Sequence, residues 1–206
     1  MRLFIDSNHL SPYAMSVFVA LREKSIPFET VRVDLQKGEH HEPTYGAISM
    51  TRRVPSIDDD GFHLSESSAI CEYLDDKYPA TPIYPRDITR KARAREIQAW
   101  LRSDFKPLRE QRSTEVVFLG RTPPGPLPDD ARAAAQRLLD AVDGLLPAGQ
   151  TSLFGSWSIA DTDLALMLNR LVIAGDPVPE RVAEYAHAQW QRPSVQEWAT
   201  GRRAVR

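Results

Sequence analysis

Residues 52–74 read RRVPSIDDDGFHLSESSAICEYL, and this stretch contains the clearest local signals in the chain. The apolar run 54–57 predicts a strand, and its proline belongs at a strand start or a special turn because proline cannot donate to a sheet ladder. Asp60-Gly61 predicts a tight hairpin turn. Alternating apolar residues over 62–64 then indicate a second, antiparallel strand.

A helix is predicted to begin at Ser65 or Glu66. Its apolar residues recur at helical spacing, at Ile70, Tyr73 and Leu74. A helix N-terminus has free N–H groups and a partial positive charge, so it can bind a carboxylate. Glu66 and Ser67 lie at that end, and the backbone of Val54 could pair with an extended peptide. These groups suit a small peptide-like ligand; an ordinary strand–turn–strand–helix unit is the alternative.

Composition limits the class of protein. The 206 residues are enough for one large or two small domains, and an apolar content of 42% can form a sizeable core. A net charge of −2 argues against nucleic acid as a partner. Cys71 is the only cysteine, which excludes an internal disulfide, and we expect it to be buried. With neither a signal peptide nor a membrane-spanning run visible, we expect a soluble cytoplasmic protein.

The N-terminal part predicts a thioredoxin-like order of elements. An apolar strand at residues 3–5, a helix from Ser11-Pro12 and a strand at 28–35 form a βαβ unit, and the β-β-α stretch described above follows it. Thioredoxins have Cys-x-x-Cys at the start of the first helix, whereas this chain has Ser11-Pro12-Tyr13-Ala14. Disulfide exchange through a protein cysteine at that position is therefore excluded.

The C-terminal part predicts helices only. Residues 1–78 would form the thioredoxin-like domain, the proline-rich segment 79–86 a linker, and residues 87–206 an all-helical domain. Pro107 should break the first long helix of that domain. The expected fold class is therefore an α/β domain followed by an all-α bundle.

Residues 158–161 read Ser-Ile-Ala-Asp and predict a capping box at the start of an apolar helix, worth about 1 kcal/mol per cap. The Val-Pro hairpin, the Glu-Ser-Ser-Ala-Ile helix start and this capping box, in that order, resemble the cytosolic glutathione transferases. The resemblance covers nearly the whole chain. Ser11-Pro12-Tyr13 makes it most similar to a serine-type bacterial subgroup for which glutathione-dependent peroxidase activity is described.

The resemblance implies a fold, a co-substrate and a set of site residues. In the family the proline is cis, glutathione is the co-substrate, and the enzymes are usually homodimers. Ser11 would be the catalytic residue, its hydroxyl donating to the glutathione sulfur and stabilising the thiolate. Implied binding roles are Val54 for the cysteinyl part, Glu66 for the ammonium group, Ser67 for the γ-glutamyl carboxylate, and Arg53 and His40 for the glycyl carboxylate.

Several alternatives stay open from sequence. The reaction would be attack of glutathione thiolate on a small hydrophobic electrophile or an organic hydroperoxide. The rival is a non-catalytic relative that binds ligands or proteins, while a thioltransferase would need cysteine at position 11. Residues 48–51 depart from the family pattern, which leaves the glycyl contacts open. The adjacent histidines 40 and 41, with no third ligand nearby in sequence, are weak evidence for a metal site and could equally be a solvated pair in a loop. A basic run at 86–112 is either a solvated helix face or part of the second-substrate site, with Arg102, Lys106 and Arg109 as its first candidates.

Overall fold

The computed structural model describes residues 1–146 and 149–201, and its contacts divide the chain into two compact units. The first unit comprises Met1–Ile83 together with the described part of Pro193–Arg206, and the second comprises Tyr84–Arg192. The sequence predicts a helical domain that runs from residue 87 to the C-terminal end. The contacts differ at that end, because the last helix groups with the first unit.

The first unit is built on a four-stranded mixed sheet. Its strands are β1 (Arg2–Asp6), β2 (Glu29–Val33), β3 (Ser56–Asp59) and β4 (Phe62–Ser65). Their order across the sheet is β2-β1-β3-β4, with β1 and β2 parallel and the other two neighbouring pairs antiparallel. This confirms the thioredoxin-like arrangement predicted from the order of elements.

The helices of this unit cover the sheet. They are α1 (Pro12–Glu23), α2 (Pro43–Gly46), which follows a 3-10 turn at Glu39–His41, and α3 (Ser67–Lys77). The buried residues of α1 and α3 include Leu21, Ile70 and Leu74, all fully inaccessible. Cys71 is also buried, as expected.

The hairpin stretch folds as predicted, with one difference. Asp60 and Gly61 both have positive φ angles, 55° and 91°, as a two-residue hairpin with right-handed twist requires. The Val54–Pro55 peptide is cis. The strand begins at Ser56 rather than at Val54, so Val54 lies outside the sheet ladder.

The second unit is helical throughout its regular structure. Its helices are α4 (Ile88–Ser103), α5 (Lys106–Gln111), α6 (Thr114–Leu119), α7 (Asp129–Leu145), α8 (Ile159–Val172) and α9 (Glu180–Trp190). The predicted break at Pro107 is confirmed, since this residue lies in the first turn of α5, where a missing N–H is tolerated. Over residues 1–146 and 149–201, no helix is long and apolar enough to cross a membrane.

Asp161 connects three segments of the second unit. Its carboxylate accepts bonds from the N–H and the hydroxyl of Ser158, at 2.8 and 2.9 Å, which confirms the predicted capping box. It also accepts from the N–H of Leu153 at 2.8 Å and from the hydroxyl of Tyr185 at 2.9 Å. A carboxylate recognisable in sequence as a helix cap therefore also fixes the preceding loop and the neighbouring helix α9.

The last helix, α10 (Pro193–Thr200), belongs to the first unit because it packs against α1. Ser194 donates to the Glu23 carboxylate at 2.5 Å, and Arg22 forms an ion pair with Glu197 at 2.7 Å. Trp198 is the largest fully buried side chain of this helix.

Candidate active site

The candidate residues from three separate chain segments lie at one edge of the sheet. In the strand register, Phe4 of β1 pairs with Ser56 of β3, and Ser56 pairs with Ser65 of β4. The end of β1, the start of β3 and the end of β4 are therefore neighbours. Ser11 follows the first of these ends, Val54 precedes the second and Glu66 follows the third.

The remaining strand adds a fourth segment to this edge. Because β2 runs parallel to β1, with Val33 opposite Asp6, its C-terminal end lies at the same edge. The loop that follows β2 leads to the 3-10 turn that contains His40. Because the strand order is β2-β1-β3-β4, the segments attached to this edge, which contain His40, Ser11, Val54 and Glu66, follow one another in that order.

Ser11 is the N-cap of α1 and is half-buried. Its hydroxyl oxygen accepts a bond from the N–H of Ala14 at 3.1 Å. A serine hydroxyl has one proton and two lone pairs, so this cap uses a lone pair. Among the described residues no acceptor is assigned to the proton, which leaves it able to donate to a ligand at the helix N-terminus.

The carboxylate of Asp6 fixes the loop that leads into this helix. It accepts from the N–H of Leu10 at 2.6 Å and from the N–H of Ser11 at 2.9 Å, while the N–H of His9 donates to the Asp6 carbonyl at 3.1 Å. Asp6 is buried at the end of β1. This supporting residue was missed in the sequence, where the only sign of it is an acidic residue that directly follows an apolar strand.

Val54 is half-buried and lies outside the sheet ladder. Its side chain packs against the cluster of Phe4, Val33 and Tyr45, whereas its N–H and C=O have no assigned hydrogen-bond partner among the described residues. A half-buried residue with free backbone groups is suited to bind an extended peptide by strand addition.

Two hydroxyls fix the peptide just before Val54. Tyr45 donates to the carbonyl of Arg53 at 2.9 Å, and Ser49 donates to the same oxygen at 3.1 Å. Burial raises the pKa of Tyr45, so its hydroxyl stays protonated and remains a donor. Ser49 lies in the segment where the sequence departs from the family pattern, and the structure assigns it a bond to the loop. Neither side chain was singled out from sequence.

Glu66 occupies the N-cap position of α3 in an unusual conformation. Its φ and ψ angles are 75° and 114°, and its side chain is exposed, with no partner assigned among the described residues. Positive φ is uncommon for residues other than glycine and is associated with functional sites. Among the described residues no side chain caps α3, whose first turn lies beside Glu66 and begins at the buried Ser67.

The two neighbouring arginines differ in their surroundings. Arg52 donates to the carbonyl of His41 and packs so closely on Gly46 that a Cβ there would lie 2.8 Å from its guanidinium. Arg53 is exposed, and within the described chain its guanidinium has no assigned partner. His40 is half-buried, with its Nδ1 atom buried and unbonded in the described structure. Arg53 thus remains available for an anion, whereas Arg52 is used within the protein.

The basic candidates of the second unit bond mainly to the unit itself. Arg109 donates to the carbonyls of Leu101 and Arg102, at 2.7 and 3.0 Å, and so satisfies the C-terminal end of α4. Arg102 pairs with Asp163 at 3.2 Å. Lys106 is exposed and lies 3.6 Å from Glu110. Across the described parts of the chain, no group of three or more His, Cys, Asp or Glu side chains is arranged to bind a metal ion.

A thioredoxin-like unit with its candidate groups at one sheet edge, and a separate helical unit, define the architecture of this protein. Residues 10–77 match the family model of the glutathione S-transferase N-terminal domain, and residues 87–202 match the model of the C-terminal domain. The chain therefore belongs to the glutathione S-transferase family. The predicted fold, family and enzyme class are confirmed, and glutathione is the co-substrate from which the family takes its name.

Individual relatives agree with this assignment. Mouse glutathione S-transferase theta-3 is 29% identical over 204 residues, covering 96% of this chain and 80% of that protein. Mouse glutathione S-transferase theta-1 is 36% identical over 101 residues, which is 48% of this chain and only 41% of that protein.

Solved structures show the same fold. A glutathione transferase homologue from Burkholderia, crystallised with bound glutathione, is 44% identical with a TM-score of 0.81, and the match covers 100% of this chain and 98% of that one. A glutathione S-transferase from Rhodospirillum rubrum is 27% identical with a TM-score of 0.74, over 96% of this chain and 90% of that one.

Proposed function

We propose that this protein binds glutathione along the sheet edge and uses Ser11 to activate its thiol for attack on a small hydrophobic electrophile or an organic hydroperoxide. The main support is the order of the candidate groups. The segments that contain His40, then Ser11 and Val54, then Glu66 follow the order of the strands across the edge, which is the order of the glycyl, cysteinyl and γ-glutamyl parts of the tripeptide; the second glycyl candidate, Arg53, is next to Val54. The bound glutathione in the Burkholderia relative supports the choice of ligand.

The dimensions of the edge fit this ligand. From the end of β1, which precedes Ser11, to the end of β4, which precedes Glu66, two strand spacings span about 10 Å. The three residues of the tripeptide span at most about 10–11 Å, so the third spacing, from β1 to β2, would have to be bridged by the side chains of the glycyl candidates. The cysteinyl backbone would pair with Val54, which places the sulfur towards the start of α1. The two terminal groups of the tripeptide would then reach opposite ends of the edge.

Stabilising the thiolate is the chemical task. An ordinary thiol with a pKa near 8.5 is only a few per cent ionised at neutral pH, and lowering that pKa by two units requires about 2.7 kcal/mol. A hydrogen bond to an anion contributes about 1.5–3 kcal/mol, and a helix N-terminus contributes up to about 2 kcal/mol more. The Ser11 hydroxyl at the start of α1 offers both contributions, and it acts as a donor rather than as a nucleophile.

The termini of the tripeptide have complementary partners. The exposed carboxylate of Glu66 would pair with the ammonium group, and Ser67 with the first-turn N–H groups of α3 would bind the γ-glutamyl carboxylate. The glycyl carboxylate would bind to Arg53, whose exposed guanidinium directly precedes Val54, and to His40, which follows β2. Peroxidase activity, a homodimer and a cytoplasmic location are further parts of this proposal and rest on the family resemblance.

The substitution Ser11→Ala tests the proposal. It should raise the pKa of bound glutathione by about 1–2 units, because a hydrogen bond worth about 1.5–3 kcal/mol to the anion is lost. Turnover at neutral pH should fall by about 10–100-fold with little change in KM for glutathione. Thiolate absorbance of the complex against pH and steady-state kinetics measure both effects.

Ser113→Ala is the matched control. Ser113 is the N-cap of α6 and accepts from the N–H of Glu115 at 3.3 Å, so its loss also removes a serine cap, worth about 1 kcal/mol. It should lower stability without changing the thiol pKa. An unchanged thiol pKa and turnover in Ser11→Ala would refute the role of Ser11.

A non-catalytic binding protein is the alternative function. It predicts that glutathione binds while an aryl halide, a hydroperoxide and a mixed disulfide all stay unconsumed in its presence. Turnover of the first two would establish the transferase and peroxidase activities separately. Failure to bind glutathione at millimolar concentration would contradict the proposal as a whole.

A further inference from the structure

The loop that presents Ser11 contacts a residue from the far end of the chain. His9, two positions before Ser11, is buried and has a left-handed backbone conformation with φ of 53°. Its ring lies against the indole of Trp198 in α10, with ring centroids 4.8 Å apart and an interplanar angle of 34°. The conformation of this loop therefore depends on a side chain that is remote in sequence.

Trp198 is itself held firmly. Only 1% of its surface is accessible, and its ring also contacts Phe18 of α1 with a centroid distance of 5.4 Å. The polar contacts of α10 with α1, described above, fix the helix at two further points, near Ser194 and Glu197. The indole therefore packs against both the helix α1 and the loop that leads into it.

Asp6 and Trp198 both act on the loop before Ser11. The carboxylate of Asp6 binds the backbone N–H groups of Leu10 and Ser11, and the indole of Trp198 packs against the ring of His9. A left-handed residue that loses the packing of its side chain tends to return to the more common conformations. Such a change alters the direction of the loop immediately before the Ser11 hydroxyl.

We infer that Trp198 is a positioning residue which, through His9, fixes the Ser11 hydroxyl for its bond to the glutathione sulfur. This inference rests on the proposed function of Ser11. Neither Trp198 nor His9 touches glutathione in this scheme. Their effect is on geometry, and a displacement of a reacting group by about 1 Å can reduce a rate by about 100-fold.

The test compares Trp198→Leu with Trp198→Phe. Leucine removes the aromatic ring at position 198 but keeps an apolar side chain, whereas phenylalanine keeps a ring that can still pack on His9. Trp198→Leu should raise the pKa of bound glutathione and lower kcat by about tenfold or more, with KM for glutathione little changed. Trp198→Phe should keep most of the lowering of the glutathione thiol pKa and most of the wild-type kcat.

Phe105→Leu controls for loss of stability alone. Phe105 is fully buried in the second unit, where its ring packs edge-on to Trp100 at 4.5 Å. This variant should lose stability comparably to Trp198→Leu while the thiol pKa stays at the wild-type value. His9→Asn serves as a second variant in case Trp198→Leu does not fold, because asparagine tolerates the left-handed conformation but cannot stack; it should also raise the thiol pKa.

The outcomes separate the two hypotheses. If wild-type protein lowers the thiol pKa of glutathione and both Trp198→Leu and His9→Asn do so equally well, the positioning role is wrong and the function of Ser11 stands. The same conclusion follows if Phe105→Leu raises the thiol pKa as much as Trp198→Leu does. If wild-type protein does not lower that pKa, the proposed function of Ser11 fails and the positioning role fails with it.

Discussion

Replacing Glu66 by glycine should make the protein more stable and, at the same time, a weaker binder of glutathione. Glu66 is exposed, so its side chain contributes no core packing. Its φ of 75° and ψ of 114° are unfavourable for a residue with a Cβ but open to glycine. If the role of Glu66 is to bind glutathione through its carboxylate, the protein tolerates the strained backbone at this position because glycine there could not bind the ligand.

Two opposing terms set the size of the stability change. Strain at a non-glycine residue in a sparsely populated backbone region lowers the stability of the wild type by about 1–3 kcal/mol. Glycine removes this strain but lowers the stability of the variant by about 0.5–1 kcal/mol, because it gives the unfolded chain more conformational freedom. The net gain should be about 0.5–2 kcal/mol of unfolding free energy, or a rise in Tm of a few degrees for a protein of this size. Loss of a charged hydrogen bond worth about 1.5–3 kcal/mol should weaken glutathione binding by about 10–150-fold.

Glu66→Gln is the matched variant, because it removes the charge and keeps the Cβ. It should bind glutathione weakly, as the glycine variant does, but show wild-type stability. Urea denaturation gives the stabilities, and isothermal titration calorimetry with glutathione gives the affinities. A glycine variant that is less stable than both the wild type and Glu66→Gln would contradict the strain argument, and unchanged affinity in both variants would contradict the role of the carboxylate.

Two further substitutions test the contacts that support the site and the fold. Tyr45→Phe removes the bond to the Arg53 carbonyl and the bond with the Ser56 hydroxyl, each at 2.9 Å, so we expect about 1–2 kcal/mol less unfolding free energy and a higher KM for glutathione. An unchanged KM would show that the bond to Arg53 does not orient Val54. Asp161→Asn leaves one carboxamide oxygen for four donors, and its NH2 group, itself a donor, faces two of them. The substitution should therefore lower the free energy of unfolding by about 2–4 kcal/mol. Urea denaturation should show a larger loss of unfolding free energy for Asp161→Asn than for Tyr185→Phe, which loses a single bond worth about 1 kcal/mol. Equal losses of unfolding free energy in the two variants would refute this account.

The features predicted correctly from sequence are those determined by residues close together in the chain. Asp60-Gly61 specifies a turn through the φ angles of two adjacent residues, and Ser158 with Asp161 specifies a helix start through a bond across three positions. Pro107 breaks a helix because it lacks a single N–H. In each case the physical cause and its consequence lie within one turn of backbone.

The features that were missed depend on pairing between distant segments. Tyr45 reads as an ordinary apolar residue of a short helix, and only the folded chain brings its hydroxyl to the Arg53 carbonyl. The family resemblance singles out Arg53, but nothing in the sequence shows that its neighbour Arg52 bonds to the carbonyl of His41. The last helix shows the same limitation, because an apolar face predicts a helix without indicating which unit it will cover.

Ser11 unites a structural and a chemical requirement in one oxygen atom. Capping α1 needs an acceptor for the N–H of Ala14, and stabilising a thiolate needs a donor that faces away from the helix. Aspartate would cap the helix equally well, but it has no proton at neutral pH and would repel the sulfur anion. Alanine would leave the N–H groups of α1 without their cap as well as removing the donor. A hydroxyl meets both requirements, since it can accept from the backbone with a lone pair and donate its proton to the ligand, and the cap contact thereby helps to orient that proton before glutathione arrives.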